Sequence, residues 1–510
     1  MSEQTAWEIA RLETGIPGFD QVSNGGLPKN RTSVVAGTAG SGKTVLALQF
    51  LMSGVRNYDE GGVFVTFEES PEDLIYNVKS FGWDLDGLLR RKKIAVVDAT
   101  PDPGEINVEA GSFDLTALLA RIENGVREVN AKRVILDAIG ALFPQFTDSS
   151  TVRRELHRIA AGLRKLGVTT LITMERLDEE GGVGRFGVEE FVADNVIILR
   201  NRLDQEKRRR TIEILKFRGC MHQKGEYTFT VDASEGISIL PLSAIELKQS
   251  SSDKRVSSGV EELDRMCSGG MYRDSIILVS GATGTGKTLT VTHYVKAAIE
   301  AGERALLFGS EESREQLTRN ARSWGVDFEG AEKAGLLRIV CRYPEIMGLE
   351  DHLLQMRRDI GDFKPSRIAV DSMSAFELAG SRRSFREFVI GLTSHIKHLE
   401  ITGLITNTTP MLMGGESITE THISTITDTI ILLRYVELHG EMRRGLAILK
   451  MRGTQHEKDI REYVIDGTGM HIREPFRGIH GILTGTPTYM FSRERDNLSD
   501  MFSAGPRPTI

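Results

Sequence analysis

The stretch that decides the fold is Gly281-Ala282-Thr283-Gly284-Thr285-Gly286-Lys287-Thr288, which fits the phosphate-loop pattern G-x-x-x-x-G-K-[ST] at every fixed position. The apolar run 275–280 precedes it and helix-forming residues follow it, as the pattern requires. Glycines let backbone N–H groups surround phosphate oxygens at a helix N-terminus. The stretch therefore predicts a site for the triphosphate of a nucleotide such as ATP.

The same motif occurs a second time, which makes a chance glycine-rich turn a poor explanation. Gly37-Thr38-Ala39-Gly40-Ser41-Gly42-Lys43-Thr44 lies 244 residues upstream of its counterpart. Each lysine would reach the β- and γ-phosphates, and each final threonine would ligate Mg²⁺. The nucleotide-binding residues predicted here are Gly40, Ser41, Gly42, Lys43, Thr44 and Val45, and Thr283, Gly284, Thr285, Gly286, Lys287, Thr288 and Leu289.

Further segments repeat in the same order. Residues 134–137 recur as 368–371, residues 194–200 as 428–434, and residues 216–219 as 450–453, each at an offset of 234. Ordered self-similarity of this kind indicates duplication of one fold. We therefore predict a first domain over 1–247, a second over 248–487 and a C-terminal tail over 488–510. The shorter offset implies about ten extra residues near 98–112 of the first copy.

Strand and helix signals alternate within each copy. In the first copy, strands at 32–36, 62–67, 94–97, 133–137 and 169–173 alternate with helices at 45–56, 71–81, 113–129 and 151–166. This alternation predicts the α/β class, with mostly parallel sheets and helices on both faces. The predicted fold is two tandem RecA-like P-loop NTPase domains. Residues 196–200 and 210–217 predict a hairpin of edge strands.

Composition limits the class of protein. At 510 residues the chain exceeds a single core, and its 40% hydrophobic and 26% charged residues are ordinary for globular domains. The formal net charge of −7 argues against a dedicated nucleic-acid coat. The three cysteines are scattered, the first residues lack signal-peptide features, and no apolar run approaches about 18 residues. A cytoplasmic protein without a membrane span is therefore expected.

Asp137 and Asp371 each end an apolar strand, as the Walker-B motif of phosphate-loop ATPases does. A carboxylate at this position, beside the phosphate loop, would orient a Mg²⁺-bound water. Metal sites are therefore predicted at Thr44 with Asp137 and at Thr288 with Asp371. The alternative is that a strand-end aspartate only caps a turn.

Two glutamate pairs, Glu68-Glu69 and Glu311-Glu312, also end strands. A carboxylate in this position can accept a proton from an attacking water or hydroxyl. The alternative is a solvated turn. Because the pair occurs in both copies, we predict that these four residues are catalytic.

A basic sequence of the form K-[FM]-R-G-x-x-H-x-K occurs once in each copy, at the predicted hairpin. In ring ATPases such residues reach the triphosphate of the neighbouring subunit and stabilise the transferring charge. This interpretation requires an oligomer, whereas the alternative is a charged edge hairpin. The nucleotide-binding residues predicted here are Lys216, Arg218, His222 and Lys224, and Lys450, Arg452, His456 and Lys458.

The two copies differ in one hydroxyl-rich segment, residues 416–428. Ser424 and Thr425 align with Glu190 and Phe191 of the first copy, so only the second copy can accept phosphate there. Thr419 is a third hydroxyl nearby. Such residues are also ordinary strand and cap formers, which is the alternative to phosphorylation.

Together these residues resemble the KaiC family of circadian clock ATPases over roughly residues 7–490. The most specific match is residues 421–433, THISTITDTIILL, and segments 311–325 and 348–352 also match. The resemblance implies a homohexameric double ring with ATP between subunits. It also implies ATP hydrolysis in the first domain, and autokinase and autophosphatase activity in the second.

The same resemblance implies roles for single residues. The second domain would phosphorylate Ser424 and Thr425 of the neighbouring subunit, with Thr419 accessory, and could run the reaction back to ATP. Either Glu311 or Glu312 would be the base. Trp324 would lie near the adenine, or else is an ordinary buried aromatic residue.

Some residues depart from the family pattern. Ala138 stands where the family has a serine, and residues 376–379 lack an arginine that the family usually shows. The tail after Pro487 does not match the family tail that binds the activating partner, which argues against a KaiA-like partner. A KaiB-like partner is compatible with the resemblance.

Two other functions could use this fold, because a fold does not fix a function. One is a nucleic-acid motor or recombinase, which the acidic balance and the hydroxyl pair argue against. The other is a signalling scaffold held together by ATP, which both glutamate pairs argue against. Circadian timing and stress signalling are both compatible with the sequence.

Overall fold

The computed structural model of the protein describes residues 9–100, 115–141, 149–182, 193–204, 206–241, 252–409, 423–482 and 488–489. The chain divides into two units, Met1–Glu246 and Leu247–Ile510. Each unit has its own nine-stranded sheet. Among the described helices, none is both long enough and apolar enough to cross a membrane.

The first unit alternates strands and helices along the chain. Its strands are β1 (Arg11–Leu12), β2 (Leu27–Pro28), β3 (Thr32–Gly37), β4 (Gly61–Thr66), β5 (Ile94–Asp98), β6 (Ala131–Asp137), β7 (Thr169–Glu175), β8 (Asn195–Asp204), β9 (Lys207–Phe217), β10 (Glu226–Asp232) and β11 (Gly236–Ile239). Its α-helices are Phe19–Val22, Lys43–Tyr58, Pro71–Val78, Leu85–Arg90, Leu115–Glu128 and Ser149–Lys165. The main sheet has the order β11-β10-β9-β8-β3-β7-β6-β4-β5.

The second unit repeats this plan. Its strands are β12 (Arg255–Val256), β13 (Met271–Tyr272), β14 (Ile276–Gly281), β15 (Ala305–Gly309), β16 (Leu337–Cys341), β17 (Arg367–Asp371), β18 (Thr402–Thr408), β19 (Thr429–Leu438), β20 (Glu441–Met451), β21 (Arg461–Asp466), β22 (Gly469–Pro475), β23 (Ile479–His480) and β24 (Thr488–Tyr489). Its α-helices are Glu261–Met266, Lys287–Glu300, Arg314–Ser323, Phe328–Lys333, Leu349–Phe363, Ser374–Glu377, Arg382–His398 and Ile423–Ile426. The main sheet has the order β16-β15-β17-β18-β14-β19-β20-β21-β22.

In the first sheet the strands from β5 to β8 are parallel, and those from β8 to β11 are antiparallel. In the second sheet the change occurs in the same way at β19. In the first unit, β3 shows why helices cover both faces. Val35 packs on one side with Phe50 of the helix Lys43–Tyr58, whereas Val34 packs on the other with Ile122 and Leu156. Alternate residues of a strand point to opposite faces. The predicted α/β class, with mostly parallel sheets covered on both faces, is confirmed.

The predicted hairpin of edge strands is wrong in one respect. Residues 195–204 and 207–217 do form a hairpin, β8–β9, but neither strand is at an edge. β8 also pairs with β3, and β9 also pairs with β10. The sheet continues through β10 and β11 because residues 226–239 form a further hairpin that the sequence analysis did not identify. The expected extra residues near 98–112 lie almost entirely outside the described residues, as does most of the tail.

Candidate functional site

Each phosphate loop joins the end of a buried parallel strand to the start of a long helix. Gly42 and Gly286, immediately before the two helices, both have φ of 94°, in the left-handed region where glycine is favoured. A Cβ atom on Gly286 would lie 2.7 Å from Cδ1 of Ile465 in β21. Glycine is therefore required here by backbone conformation and by the close approach of a neighbouring strand.

The two loop lysines lie over their own loops. The Nζ atom of Lys43 donates to the carbonyl oxygens of Gly37 and Thr38, both at 2.9 Å. Lys287 donates in the same way to Gly281 and Ala282, both at 3.0 Å. Burial lowers the pKa of both lysines, and nearby carboxylates oppose the shift. Each ammonium group is thus held against its own phosphate loop, and its contact with a phosphate stays a prediction.

The predicted metal-binding residues lie together in each unit. The hydroxyl of Thr44 donates to Oδ2 of Asp137 at 3.0 Å, and Thr173 donates to Oδ1. In the second unit, Thr288 and Thr406 make the same two bonds to Asp371. Burial raises the pKa of both aspartates. A hydroxyl and a carboxylate this close are hard oxygen donors that fit Mg²⁺.

The members of each glutamate pair have different neighbours. The second members are held by an asparagine eight residues on: Asn77 donates to Glu69 at 3.4 Å, and Asn320 donates to Glu312 at 2.8 Å. The first members are those whose charge acts on the loop lysine, Glu68 on Lys43 and Glu311 on Lys287. This electrostatic coupling favours Glu68 and Glu311 as the members of each pair that act at the phosphate loop.

The carboxylates of the first site influence one another. Burial, followed by the negative charges of Asp137 and Glu175, raises the pKa of Glu68. Lys43 and Glu69 are the other charged groups that act on it. Burial and the charge of Asp371 likewise raise the pKa of Glu312. A raised pKa makes a carboxylate a stronger base, so this criterion favours Glu68 in the first unit and Glu312 in the second. The choice of Glu311 in the second unit rests instead on its action on Lys287.

The basic residues lie at the far end of the sheet from their own phosphate loop. Lys216 pairs with Val196, which lies opposite Val34 in β3. Val34 is three residues before Gly37, or about 10 Å along the strand. In the second unit, Lys450 pairs with Ile430, which lies opposite Leu278 in β14, three residues before Gly281. These lysines are therefore separated from the nucleotide site of their own chain.

Ser424 and Thr425 lie beside these basic residues. They belong to the short helix Ile423–Ile426, and Ser424 is buried whereas Thr425 is exposed. The Nζ atom of Lys450 donates to the carbonyl oxygens of Ser424 at 2.9 Å and Thr427 at 2.6 Å. Arg452 donates to the carbonyl oxygen of Thr425 at 2.9 Å. The structure thus brings the hydroxyl pair and the basic pair together. Thr419, Glu190 and Phe191 lie outside the described residues.

The remaining predicted residues are spread over both units. Trp324 follows the helix Arg314–Ser323 and packs, half-buried, against the core of the second unit. The ring of His222 lies 5.5 Å from that of Phe217. Val45 and His456 are half-buried, Leu289 is buried in the core, and Arg218, Lys224 and Lys458 are exposed.

Several residues of the sites were not predicted. The threonines that hold the Walker-B carboxylates, Thr173 and Thr406, are two residues before the ends of β7 and β18. The signal that could have found them is a hydroxyl at the same place in both copies. Ser372 was also missed, although its hydroxyl donates to Oε1 of Glu311.

Comparison with known proteins agrees with this geometry. The family model described as "ATPase: KaiC" matches residues 12–244 and, a second time, residues 256–476. The chain is 59% identical to the circadian clock protein KaiC3 of Synechocystis sp. over 502 residues, which are 98% of this chain and 99% of that protein.

Oscillator proteins are similar to this chain over the same extent. It is 56% identical to the circadian clock oscillator protein KaiC of Thermostichus vulcanus, over 98% of this chain and 96% of that protein. It is 54% identical to the protein of the same name from Picosynechococcus sp., over 96% and 95%. Both units have the same arrangement of phosphate loop, aspartate and glutamate pair, and each unit matches the same family model. The chain belongs to the KaiC family of ATPases.

Proposed function

We propose that this KaiC-family ATPase is also an autokinase and autophosphatase, and that its second domain, residues 248–487, acts on Ser424 and Thr425 of a neighbouring protomer. The first domain, residues 1–247, hydrolyses ATP. The protomers form a hexameric double ring with ATP and Mg²⁺ between them. Ring assembly is proposed from the resemblance to the family, whereas the direction of transfer is argued from the geometry.

The observation that supports transfer between protomers is the separation of donor and acceptor within one chain. Ser424 and Thr425 precede β19, and Thr429 at the start of β19 lies opposite Ile277 near the start of β14. The phosphate loop begins only at Gly281, at the other end of the same strand. Phosphoryl transfer needs the attacking oxygen in line with the γ-phosphorus, within contact distance. A neighbouring chain's ATP can meet this requirement, because it is not bound to the same strand.

The basic residues fit the same arrangement. Lys450 and Arg452 donate to the backbone of the hydroxyl segment, so the acceptors and the cations would meet a neighbour's triphosphate together. Cations at the transferring phosphoryl group stabilise the charge that develops there. In the first unit, Lys216 and Arg218 occupy the same position without acceptor hydroxyls, as expected for a site whose acceptor is water.

The residues of the second site have distinct roles in this reaction. Lys287 and the loop amides bind the β- and γ-phosphates, and Glu311 accepts the proton of the attacking hydroxyl. A bond forms between the hydroxyl oxygen and the γ-phosphorus, and the bond from the γ-phosphorus to the β–γ bridging oxygen breaks, which leaves ADP. Thr288 and Asp371 would hold Mg²⁺, which neutralises phosphate charge when bound. The reverse path returns the phosphoryl group to ADP.

Mixing two inactive variants tests this proposal. Glu311→Gln removes the proposed base and keeps the acceptors, whereas a Ser424→Ala, Thr425→Ala chain keeps the base and lacks acceptors. After subunits are exchanged and incubated with Mg-ATP, mass spectrometry should find phosphate on Ser424 and Thr425 of the Glu311→Gln chains. Phosphate on neither residue in wild-type protein would refute the kinase. Phosphate in the wild type but none in the mixture would show transfer within one chain.

The role in the cell is proposed from the relatives. Their names describe circadian clock proteins, and we infer that this protein times a cellular process in the cytoplasm, circadian or stress-related, with a KaiB-like partner. A phosphorylation time course in ATP, with and without that partner, tests this role. A phosphorylation level that settles to a constant value in both samples would exclude a self-sustained rhythm.

A further inference from the structure

The first glutamate of each pair is held differently in the two units. In the second unit, the hydroxyl of Ser372 donates to Oε1 of Glu311 and lies 2.7 Å from the hydroxyl oxygen of Ser374. The backbone N–H of Thr408, the last residue of β18, donates to Ser374 at 3.1 Å. A continuous chain of hydrogen bonds therefore links the end of β18 to the carboxylate of Glu311.

This chain can have only one direction. The Thr408 amide can only donate, and an ionised glutamate can only accept. A serine hydroxyl has one hydrogen to give. Ser372 uses its hydrogen on Glu311, so the hydrogen between the two serines must come from Ser374. Every donor in the chain is used, and this fixes one orientation of the carboxylate.

A third serine fixes the main chain of Ser372. The N–H of Ser372 donates to the hydroxyl oxygen of Ser310 at 2.8 Å, and that hydroxyl donates back to the carbonyl oxygen of Ser372 at 2.7 Å. Ser310 and Ser372 are 5% and 1% exposed. Buried polar groups with all their hydrogen bonds made are rigid. We name Ser310, Ser372 and Ser374 the serine chain.

The first unit has no hydroxyl at any of these positions. Phe67 and Ser310 are equivalent, because each donates its N–H to the carbonyl oxygen of the Walker-B aspartate of its unit. By the 234-residue offset, Ala138 occupies the position of Ser372, and Gly140 occupies the position of Ser374. Strand register makes Glu175, opposite Gly37, the counterpart of Thr408, opposite Gly281. Glu68 therefore has a second carboxylate nearby instead of the serine chain.

We propose that Ser372 and Ser374 are positioning residues that hold Glu311 in the orientation needed to receive a proton from a protein hydroxyl. This inference rests on the proposed function. The acceptor oxygen of a neighbouring protomer approaches from a fixed place, so the base must be fixed as well. Water can adjust its own position to a less restrained carboxylate, as at Glu68. Loss of the serine chain should therefore slow phosphoryl transfer more than hydrolysis by the second domain.

The experiment uses the full chain with the first domain inactivated by Glu68→Gln and Glu69→Gln. In this background, Ser372→Ala and Ser374→Ala are compared with the control Ser275→Ala. Ser275 is a buried serine immediately before β14, and its hydroxyl donates to the carbonyl oxygen of Tyr272, so the control also loses one buried hydrogen bond. We expect phosphate incorporation at Ser424 and Thr425 to slow roughly tenfold or more in the two site variants, as for lost outer-shell partners. The KM for ATP should not change, and the control should match the background.

Three results would overturn the inference. The first is phosphate incorporation by Ser372→Ala at the rate of the background protein. The second is an equal loss of incorporation in the control Ser275→Ala. The third is a raised KM for ATP in Ser372→Ala with an unchanged maximal rate of incorporation. If the wild-type protein puts no phosphate on Ser424 or Thr425, the proposed function is wrong. If the background protein incorporates phosphate there and Ser372→Ala incorporates it equally fast, the proposed function stands and only the inference is wrong.

Discussion

At the scale of single residues, the two glutamates of each pair have different surroundings although they are neighbours in sequence. Motif spacing located the glycines, lysines, aspartates and glutamate pairs, because each motif has a fixed distance to the phosphate loop. It could not distinguish Glu311 from Glu312, since adjacent residues at a strand end point in different directions. Of the partners that make the distinction, the asparagine is on the next helix and the serine is about sixty residues away in sequence.

Exchange of one glutamate at a time should show this difference. We expect Glu311→Gln to lower phosphate incorporation by roughly a hundredfold, because the proton acceptor is lost. In Glu312→Gln, the side-chain oxygen can still accept the amide N–H of Asn320, and we expect phosphate incorporation to fall by less than tenfold. Initial rates of incorporation at saturating ATP measure both. A larger loss in Glu312→Gln would assign the base to the second residue.

A buried histidine gives the second domain a sensitivity to acid. His293 is 7% exposed, its Nε2 atom accepts the N–H of Met470 at 3.2 Å, and burial lowers its pKa to about 4. Between pH 6.5 and 4 the unfolded chain binds a proton that the folded chain does not, so the free energy of unfolding falls as the pH falls. The full effect over this interval is roughly 3 kcal/mol.

The first domain supplies the matched replacement. Gln49 occupies the equivalent place and accepts the N–H of Ile237 through its side-chain oxygen. Between pH 7 and pH 4.5, we expect His293→Gln to remove roughly 2.4 kcal/mol of the fall in the free energy of unfolding of the second domain. Urea unfolding of both proteins at pH 7 and pH 4.5 measures this difference. Parallel stability curves for the two proteins would contradict the prediction.

At the scale of elements, the hairpin β19–β20 is a support for the hydroxyl segment rather than an exposed edge. The alternation of strands and helices was predictable because its periodicity is local in sequence. The position of the hairpin within the sheet was not predictable, because it depends on β21 and β22, which follow the hairpin in the chain. The short helix Ile423–Ile426 depends on Lys450, more than twenty residues later, for its carbonyl partners.

Removal of this lysine should loosen the short helix. Lys450→Met keeps the length of the side chain and removes two hydrogen bonds, each worth about 1 kcal/mol. We expect the amides of residues 424–428 to exchange with deuterium at least tenfold faster, as measured by mass spectrometry of peptides. Lys333→Met, which changes an exposed lysine of another helix, should leave this exchange unaltered. Equal protection in both variants would show that the hairpin does not hold the segment.

At the scale of the whole molecule, two nucleotide sites of one design lie in two separate units. Duplication was readable from the offsets between motifs, because insertions and deletions had left the order of the segments intact. The serine chain was not readable, because its members are unremarkable residues that only the folded chain brings together. The two sites therefore share their phosphate-binding parts and differ around the first glutamate.

Each site should bind nucleotide independently of the other. We expect the wild-type chain to bind two molecules of a non-hydrolysable ATP analogue, and Lys43→Ala and Lys287→Ala each to bind one, because each substitution removes the ammonium group that is expected to contact the phosphates. Equilibrium dialysis at fixed protein concentration gives these numbers. Loss of both molecules in one single variant would show that the two sites depend on each other.

The position of Asp428 has a consequence for communication around a ring. Its Oδ2 atom accepts the N–H of Ile276, at the start of the strand that leads to the phosphate loop, and its backbone carbonyl accepts the N–H of Arg452. Asp194 makes the same backbone bond to Arg218 in the first unit. In the proposed ring, this aspartate would join the basic residues that face a neighbour's nucleotide to the strand that carries the protomer's own phosphate loop. A change at one interface would then have a direct hydrogen-bonded route to the next phosphate loop of the ring.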